Sequence, residues 1–409
     1  MAAAGAAAVA VAVGPLVGGL ATTYFSWRWV FVGEVVIVAG VLLLARRIQD
    51  APVETRPHLD LVGAALSALG LGIAVYGVLR SSEWGWFLPK PGATAIFGLS
   101  PTVVLILAGV FVLWLFTSWE RRREAGGHEP LVRLSMFGIA QLNGGLLMFF
   151  FQFLIQAGPF FTIPLYLSVA LGLSAIDTGL KITPLSITLL LAALGIPRFF
   201  PTASPRRVVQ IGLLALFAGI VALFTAIDID AGASIVTVPL LAAGLGIGAL
   251  ASQLGAVTVS AVPDDQSPEV GGLQNTATNL GASIGTALAG SLLIAALTAS
   301  FLTGIQANPS VPPEVASQAD IALAGGVPFI SDADLERALA DAGVSQDLAQ
   351  AIIDASEQAR LDGLRIALIV LALISLVGLF FTRRIPTSPV GPSEATAADV
   401  PRAAPDATS

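Results

Sequence analysis

Gly14-Pro15-Leu16-Val17-Gly18-Gly19 is the stretch on which the reading of this chain turns. It lies inside an apolar run, roughly 2–22, and no charged residue occurs before Arg28. Glycines let a neighbouring helix come close in lipid, and proline bends the backbone. A second run, roughly 28–46, follows at once. Working outward, eight more runs appear at roughly 60–80, 96–116, 138–168, 178–197, 207–227, 235–260, 272–298 and 363–382. About 20 apolar residues cross a hydrocarbon core of about 30 Å, so ten spans are expected.

Composition supports this. Charged residues make up 11% of the 409-residue chain, 55% is hydrophobic, and mean hydropathy is +0.85. Soluble domains carry about 25% charged residues, so most of this chain has no water to face. The absence of cysteine excludes disulfides, thiolate metal sites and cysteine nucleophiles. His58 and His128, the two histidines, fall in separate loops, which argues against a metal centre or a Ser/His/Asp set. No Gly-rich loop ends in Gly-Lys-Ser/Thr, so the chain does not drive transport by its own ATP hydrolysis. The start lacks a basic region and does not read as a secretory signal.

The loops alternate in charge. One set holds Arg46, Arg47, Arg56, Arg121, Arg122, Arg123, Arg133, Arg198, Arg206, Arg207, Arg383, Arg384 and Arg402; the other holds Arg28, Arg80, Lys90, Lys181, Arg337, Arg360 and Arg365. The positive-inside rule places the first set and the C-terminus in the cytoplasm. The charge-free stretch Ser135 to Ile176 could hold two short spans, but splitting it would put Arg198, Arg206, Arg207, Arg383 and Arg384 outside. It is therefore read as one long helix, bent near Gly158-Pro159 and Pro164. Residues 299–361 are then external, with Pro309, Pro312 and Pro313 in an extended part. Ser331 starts a short helix that Gly343 ends, and Ser345 starts another leading into the last span. The Pro-, Ala-, Ser- and Thr-rich tail 385–409 is expected to be disordered.

Polar residues inside spans are the candidates for function. Glu34 lies in mid-span, where an ionised carboxylate is costly and faces a bundle interior, pairs or keeps its proton. It is the proton-coupling candidate, with a packing role as the alternative. Gln152 and Gln156, at i and i+4, share a face of the long helix, next to Gly158-Pro159. They line a cavity or bond a neighbouring helix, and Gln253 is read in the same way. Gln274, Asn275, Thr278 and Asn279 form a polar cluster, with Asn275 as its cavity candidate and helix–helix bonding as the alternative. Lys181 snorkels near an outer end, Asp60 caps a helix, Asp228 and Asp230 are solvated, and Trp84 and Trp86 are interfacial anchors.

Taken in order, Gly14-Pro15-Leu16-Val17-Gly18-Gly19, Trp27-Arg28-Trp29-Val30-Phe31, Leu59-Asp60-Leu61-Val62-Gly63, Gly179-Leu180 with Pro184, and Gly271-Gly272-Leu273-Gln274-Asn275 with Gly281 and Gly285 resemble segments of the fourteen-helix drug:proton antiporters of the major facilitator superfamily. The resemblance implies an all-α polytopic membrane protein with the major facilitator fold, about ten transmembrane helices, and the first four helices lacking. It makes Gly14, Pro15, Gly18 and Gly19 the antiporter motif. Residues 1–50 become a remnant of the N-terminal bundle, 51–136 a central helix pair with its loop, and 137–384 a C-terminal six-helix bundle. The chain departs from the family where Glu34 and Val36 stand in place of Asn and Pro. It departs again where Gly195 to Arg207 carries no acid, so a gating salt bridge there is absent. The implied function is proton-coupled efflux of lipophilic drugs or other small molecules. Its partners are a small-molecule substrate, protons and the lipid bilayer, with no cofactor and no nucleic acid. The rival reading is a non-transporting remnant or a membrane partner protein.

Overall fold

A computed structural model describes residues 14, 17–46, 59–90, 92–228, 232–323 and 326–389. Pro15, Arg47, Arg56, His58, Asp230, Arg402 and nearly all of the proposed disordered tail lie outside the described residues. Among those described, every regular element is helical, and the one β-type pairing is an isolated bridge, Ile96 to Leu99. The long helices are α1 (Arg28–Ala45), α2 (Leu61–Leu79), α3 (Pro101–Ala125), α4 (Ala140–Leu165), α5 (Ala175–Phe199), α6 (Pro205–Ala226), α7 (Thr237–Val259) and α8 (Ser267–Ala307). Short helices α9 (Pro313–Ala322) and α10 (Asp332–Asp341) precede the last long one, α11 (Gln346–Phe381). Nine helical segments among the described residues are long and apolar enough to cross a membrane.

Local chemistry sets the helix starts. The Ser100 hydroxyl accepts from Thr102 N–H at 3.2 Å ahead of Pro101, and Ser174 accepts from Asp177 N–H at 3.2 Å. Each satisfies a backbone donor that the first turn leaves open. The stretch Ser135 to Ile176 holds one long helix, α4, continued by a π-helical turn at Tyr166–Ala170, with Pro159 and Pro164 inside it. Hydrocarbon leaves no water to bond a backbone broken in mid-membrane.

Packing follows the glycines. Gly63, Gly70 and Gly77 recur every seven residues on α2, the period of a left-handed helix pair, and all three are buried. A methyl group on Gly70 would lie 2.8 Å from the Leu113 side chain, and one on Gly77 2.9 Å from Leu105, both on α3. On α7, Gly244 and Gly248 share a face and Gly246 lies opposite. Gly244 and Gly248 abut the α5 backbone at Leu185 and Leu189, while Gly246 abuts α6 at Gly212 and Leu216. α7 is therefore clasped between α5 and α6. α8 packs on α4 and α11, and the α2/α3 pair docks on α8 through α2. The six long helices α4 to α8 and α11 enclose one apolar core that includes Ile155, Leu213, Leu250, Leu293 and Leu368.

The segment read as an external loop departs from expectation. α8 runs to Ala307 and α11 starts at Gln346, so both helices extend well past their apolar runs. Pro312-Pro313 opens helix α9 where an extended chain was expected. Proline at the first helical position loses no hydrogen bond, and Glu314 in the first turn favours the helix dipole. Ser331 caps α10, Gly343 follows it at φ +68°, and Ser345 precedes α11.

Candidate functional site

α4 and α8 meet closely at one level and part at another. Gly281 and Gly285 of α8 lie directly on the α4 carbonyls of Phe150 and Leu154. Beside this contact a cleft of about 340 Å³ opens, lined by Phe153, Gln156, Phe160 and Phe161 of α4 and by Ala282 and Thr286 of α8. The Gln156 carbonyl oxygen is buried without a hydrogen-bond partner, as is that of Gln152, one turn earlier. A buried amide oxygen without a partner costs on the order of 1–3 kcal/mol. Such a group is available to a ligand that brings a donor. The phenylalanine faces add apolar area and attract cations.

A second cleft, about 390 Å³, lies between α2 and α8, with Leu71, Gly72, Asn275, Thr276, Asn279 and Ser283 among its lining. Asn279 donates to the backbone and side-chain oxygens of Asn275 at 2.9 and 3.0 Å, so this pair is bonded within its own helix. Asn275 and Thr286 are eleven residues apart, about 16 Å along α8. The two clefts thus adjoin at Ala282 and Ser283 and extend from there in opposite directions along α8. Gln253 on α7 lines neither and donates to Ser252 Oγ at 3.2 Å. Gln274 donates to Thr258 Oγ1, tying α8 to α7.

The remaining candidates lie apart from these clefts. Glu34 is exposed on α1, a helix with no buried residue. Of the glycine motif, Gly14 and Gly18 have open space beside them, while a methyl group on Gly19 would lie 2.7 Å from the Ala175 carbonyl oxygen. The Thr23 hydroxyl accepts from Ile176 N–H at 3.2 Å, so the motif segment seats on the start of α5.

Three features escape the sequence reading. Asp60 is more than a cap. It accepts from Gly63 N–H at 3.0 Å and from Trp119 Nε1 at 3.0 Å, and it pairs with Arg123 at 3.3 Å. Burial pushes its carboxyl up, but the Gly63 and Trp119 bonds and the Arg123 charge outweigh burial and hold it below the usual carboxylate range. Beside it Glu120 is fully buried, and its Oε2 accepts from Leu131 and Val132 N–H at 2.8 and 3.3 Å. Both carboxyls crowd Gly63, where any side chain would collide with them. At the opposite end Asp228 is exposed, as expected, but it also pairs with Arg365 at 3.7 Å, and its carbonyl accepts from the Tyr166 hydroxyl. Trp86, expected only as an interfacial anchor, donates to Ser291 of α8 at 3.0 Å.

Residues 58–286, just over half the chain, match the family model described as Major Facilitator Superfamily. The lincomycin resistance protein of Listeria monocytogenes is 28% identical over 73% of this chain and 60% of its own length. The tetracenomycin C resistance and export protein of Streptomyces glaucescens is 29% identical over 79% of this chain and 58% of its own. The probable actinorhodin transporter of Streptomyces coelicolor is 30% identical over 82% of this chain and 57% of its own. The chain thus spans less than two thirds of the length of these relatives.

Proposed function

The chain belongs to the major facilitator superfamily, and we propose on that premise that it serves proton-coupled export of lipophilic, cationic small molecules. The observation that carries this reading is the α4/α8 cleft, where three phenylalanines surround the unpartnered Gln156 oxygen at membrane depth. Such a site binds by shape and apolar area, with one polar group to orient the ligand. Named relatives that confer drug resistance or export drugs support the substrate class. Alternating access by rocking of two helical bundles about a midplane site would carry the ligand across. Glu34 carries the coupling proton in this reading, because an ionisable side chain within an apolar span marks a functional position. The Arg-rich helix ends face the cytoplasm in the same reading.

The test is pH-gradient-driven accumulation of ethidium by inverted membrane vesicles carrying the chain. Parent vesicles should accumulate the dye, and Gln156→Leu should slow accumulation roughly fivefold, the effect of one lost hydrogen bond. Stability of the variant should be equal or higher, since the lost oxygen has no partner. Vesicles with the chain that behave like vesicles without it would support the non-transporting alternative. Orientation is checked on the cysteine-free chain. In intact cells an impermeant thiol reagent should label Ser310→Cys and spare Ser118→Cys, and the reverse pattern would invert the topology.

A further inference from the structure

The clasp of α5 and α6 around α7 leaves a gap at the Arg-rich end. The two outer helices are held to α7 by its glycines, and between them a cleft of about 810 Å³ opens. Its walls and floor are apolar: Ile196 and Phe200 from α5, Ile211 from α6, Leu245 and Ala249 from α7. Its rim is cationic and polar, with Ser204, Arg206 and Arg207 at the start of α6. The Ser204 hydroxyl, at the N-cap of α6, is buried, makes no cap bond and has no hydrogen-bond partner. Arg206 is fixed in place, donating from Nε to the Ile385 carbonyl at 2.8 Å and from Nη2 to the Arg383 carbonyl at 2.6 Å. Arg207 is exposed and forms no ion pair among the described residues.

The charge here is one-sided. No Asp or Glu occurs between Asp177 and Asp228, nor between Asp362 and Glu394, yet these stretches place Arg198, Arg206, Arg207, Arg383 and Arg384 at one end of the bundle. An unbonded hydroxyl, a helix N-terminus and unpaired guanidiniums above an apolar trough together ask for an anion with a hydrocarbon tail. We infer that this cleft binds an anionic phospholipid of the adjoining leaflet, its phosphate held by Ser204 and Arg207 and one acyl chain lying between α5 and α6 over Leu245. The occupant is a lipid because the trough starts at the ends of membrane spans, where headgroups lie, and runs along their apolar sides. A soluble phosphate would leave the trough unfilled. The inference is independent of the transported substrate, since neither membrane cleft described above shares a lining residue with this one.

The test is lipid retention by the purified, delipidated full chain, read by native mass spectrometry. Dioleoyl phosphatidylglycerol is compared with dioleoyl phosphatidylcholine, and glycerol phosphate serves as the soluble competitor. Phosphatidylglycerol should be retained in preference to phosphatidylcholine, and glycerol phosphate should not displace it. Arg207→Gln should weaken retention of phosphatidylglycerol about fivefold, the effect of one basic residue at a membrane surface, and Ser204→Ala should weaken it further. Ile211→Trp, which narrows the trough without touching the rim, should also release the lipid. Equal retention of the two lipids, or full retention by both Arg207→Gln and Ile211→Trp, would overturn the inference. Displacement by glycerol phosphate would overturn the lipid as occupant. Arg207 and Ile211 are exposed side chains, and unchanged helical circular dichroism separates lost binding from lost fold.

Discussion

Two polar regions of this molecule contrast. At the Arg-rich end of the α2/α3 pair, Asp60 and Glu120 are almost wholly buried; Gly63, Trp119 and Arg123 engage Asp60, Leu131 and Val132 engage Glu120 Oε2, and Glu120 Oε1 alone has no hydrogen-bond partner. On α4, Gln156 in the α4/α8 cleft and Gln152 one turn before it, outside the cleft lining, carry buried oxygens with no partner. The first region is a clamp: it fixes the α3–α4 connection against the start of α2, and three of its four carboxylate oxygens are already spent on neighbouring groups. The second keeps its bonding capacity, at a cost in stability that a packed apolar pair would not carry. Unfilled bonding capacity marks a ligand site where it lines an apolar cleft, as at Gln156; enclosed among engaged groups, as at Glu120 Oε1, it belongs to a joint.

Glu34 is the group most able to break that contrast, and it carries the largest expected effect. Like the glutamines it has no partner among the described residues, yet it lies in neither cleft. Glu34→Gln keeps size and hydrogen-bonding capacity but cannot titrate. Ethidium export driven by a pH gradient should fall to background, while insertion and helical content stay normal. Export equal to the parent's would remove Glu34 from the coupling step, and an unpartnered polar group would then no longer suffice to indicate function.

The fold was legible because hydrocarbon imposes a simple code. Nine of the ten apolar runs coincide with helices long enough to span among the described residues, and the alternation of arginines argued for one long helix between Ser135 and Ile176, where α4 lies. The Asp60/Glu120 joint was not legible in the same way. Trp119-Glu120-Arg121-Arg122-Arg123 reads as a solvated helix end, and only the return of the chain at Leu131 and Val132 buries Glu120. The seven-residue recurrence of Gly63, Gly70 and Gly77 was the available signal that α2 meets a close partner and that Asp60 is drawn into the contact. At the candidate site, the spacing of Gln152 and Gln156 placed them on one face, but nothing local specified that Phe153, Phe160 and Phe161 would frame Gln156. That arrangement depends on Gly281 and Gly285 bringing α8 onto α4, a contact between segments more than a hundred residues apart.

The joint itself gives the next largest effect. Asp60→Asn keeps a cap oxygen for Gly63 but removes the charge facing Arg123. Losing a charge-assisted bond to a buried group costs about 1.5–3 kcal/mol. The detergent-solubilised variant should melt several degrees below the parent, while ethidium binding by the parent and variant stays equal. A variant with unchanged melting but impaired binding would move Asp60 from the joint to the site and dissolve the contrast between the two regions.

The smallest effect is the acid dependence of that difference. Gly63, Trp119 and Arg123 hold the Asp60 carboxyl below its ordinary range in the folded chain. The unfolded chain therefore takes up the proton first as pH falls. Above the ordinary carboxyl value of about 3.9 both states are ionised, and the joint contributes its full stabilisation. As pH drops through that value towards the lower folded one, the contribution shrinks. Other carboxylates titrate over the same range, so the informative quantity is the gap between parent and Asp60→Asn melting temperatures, measured from pH 6 to pH 3. The gap should be constant down to about pH 4.5 and close below about pH 4. A gap that stays constant to pH 3 would mean that Asp60 binds its proton no later in the folded chain than in the unfolded one. In that case the Asp60→Asn substitution would destabilise through altered packing around Gly63, and the joint would owe nothing to the ionised carboxyl.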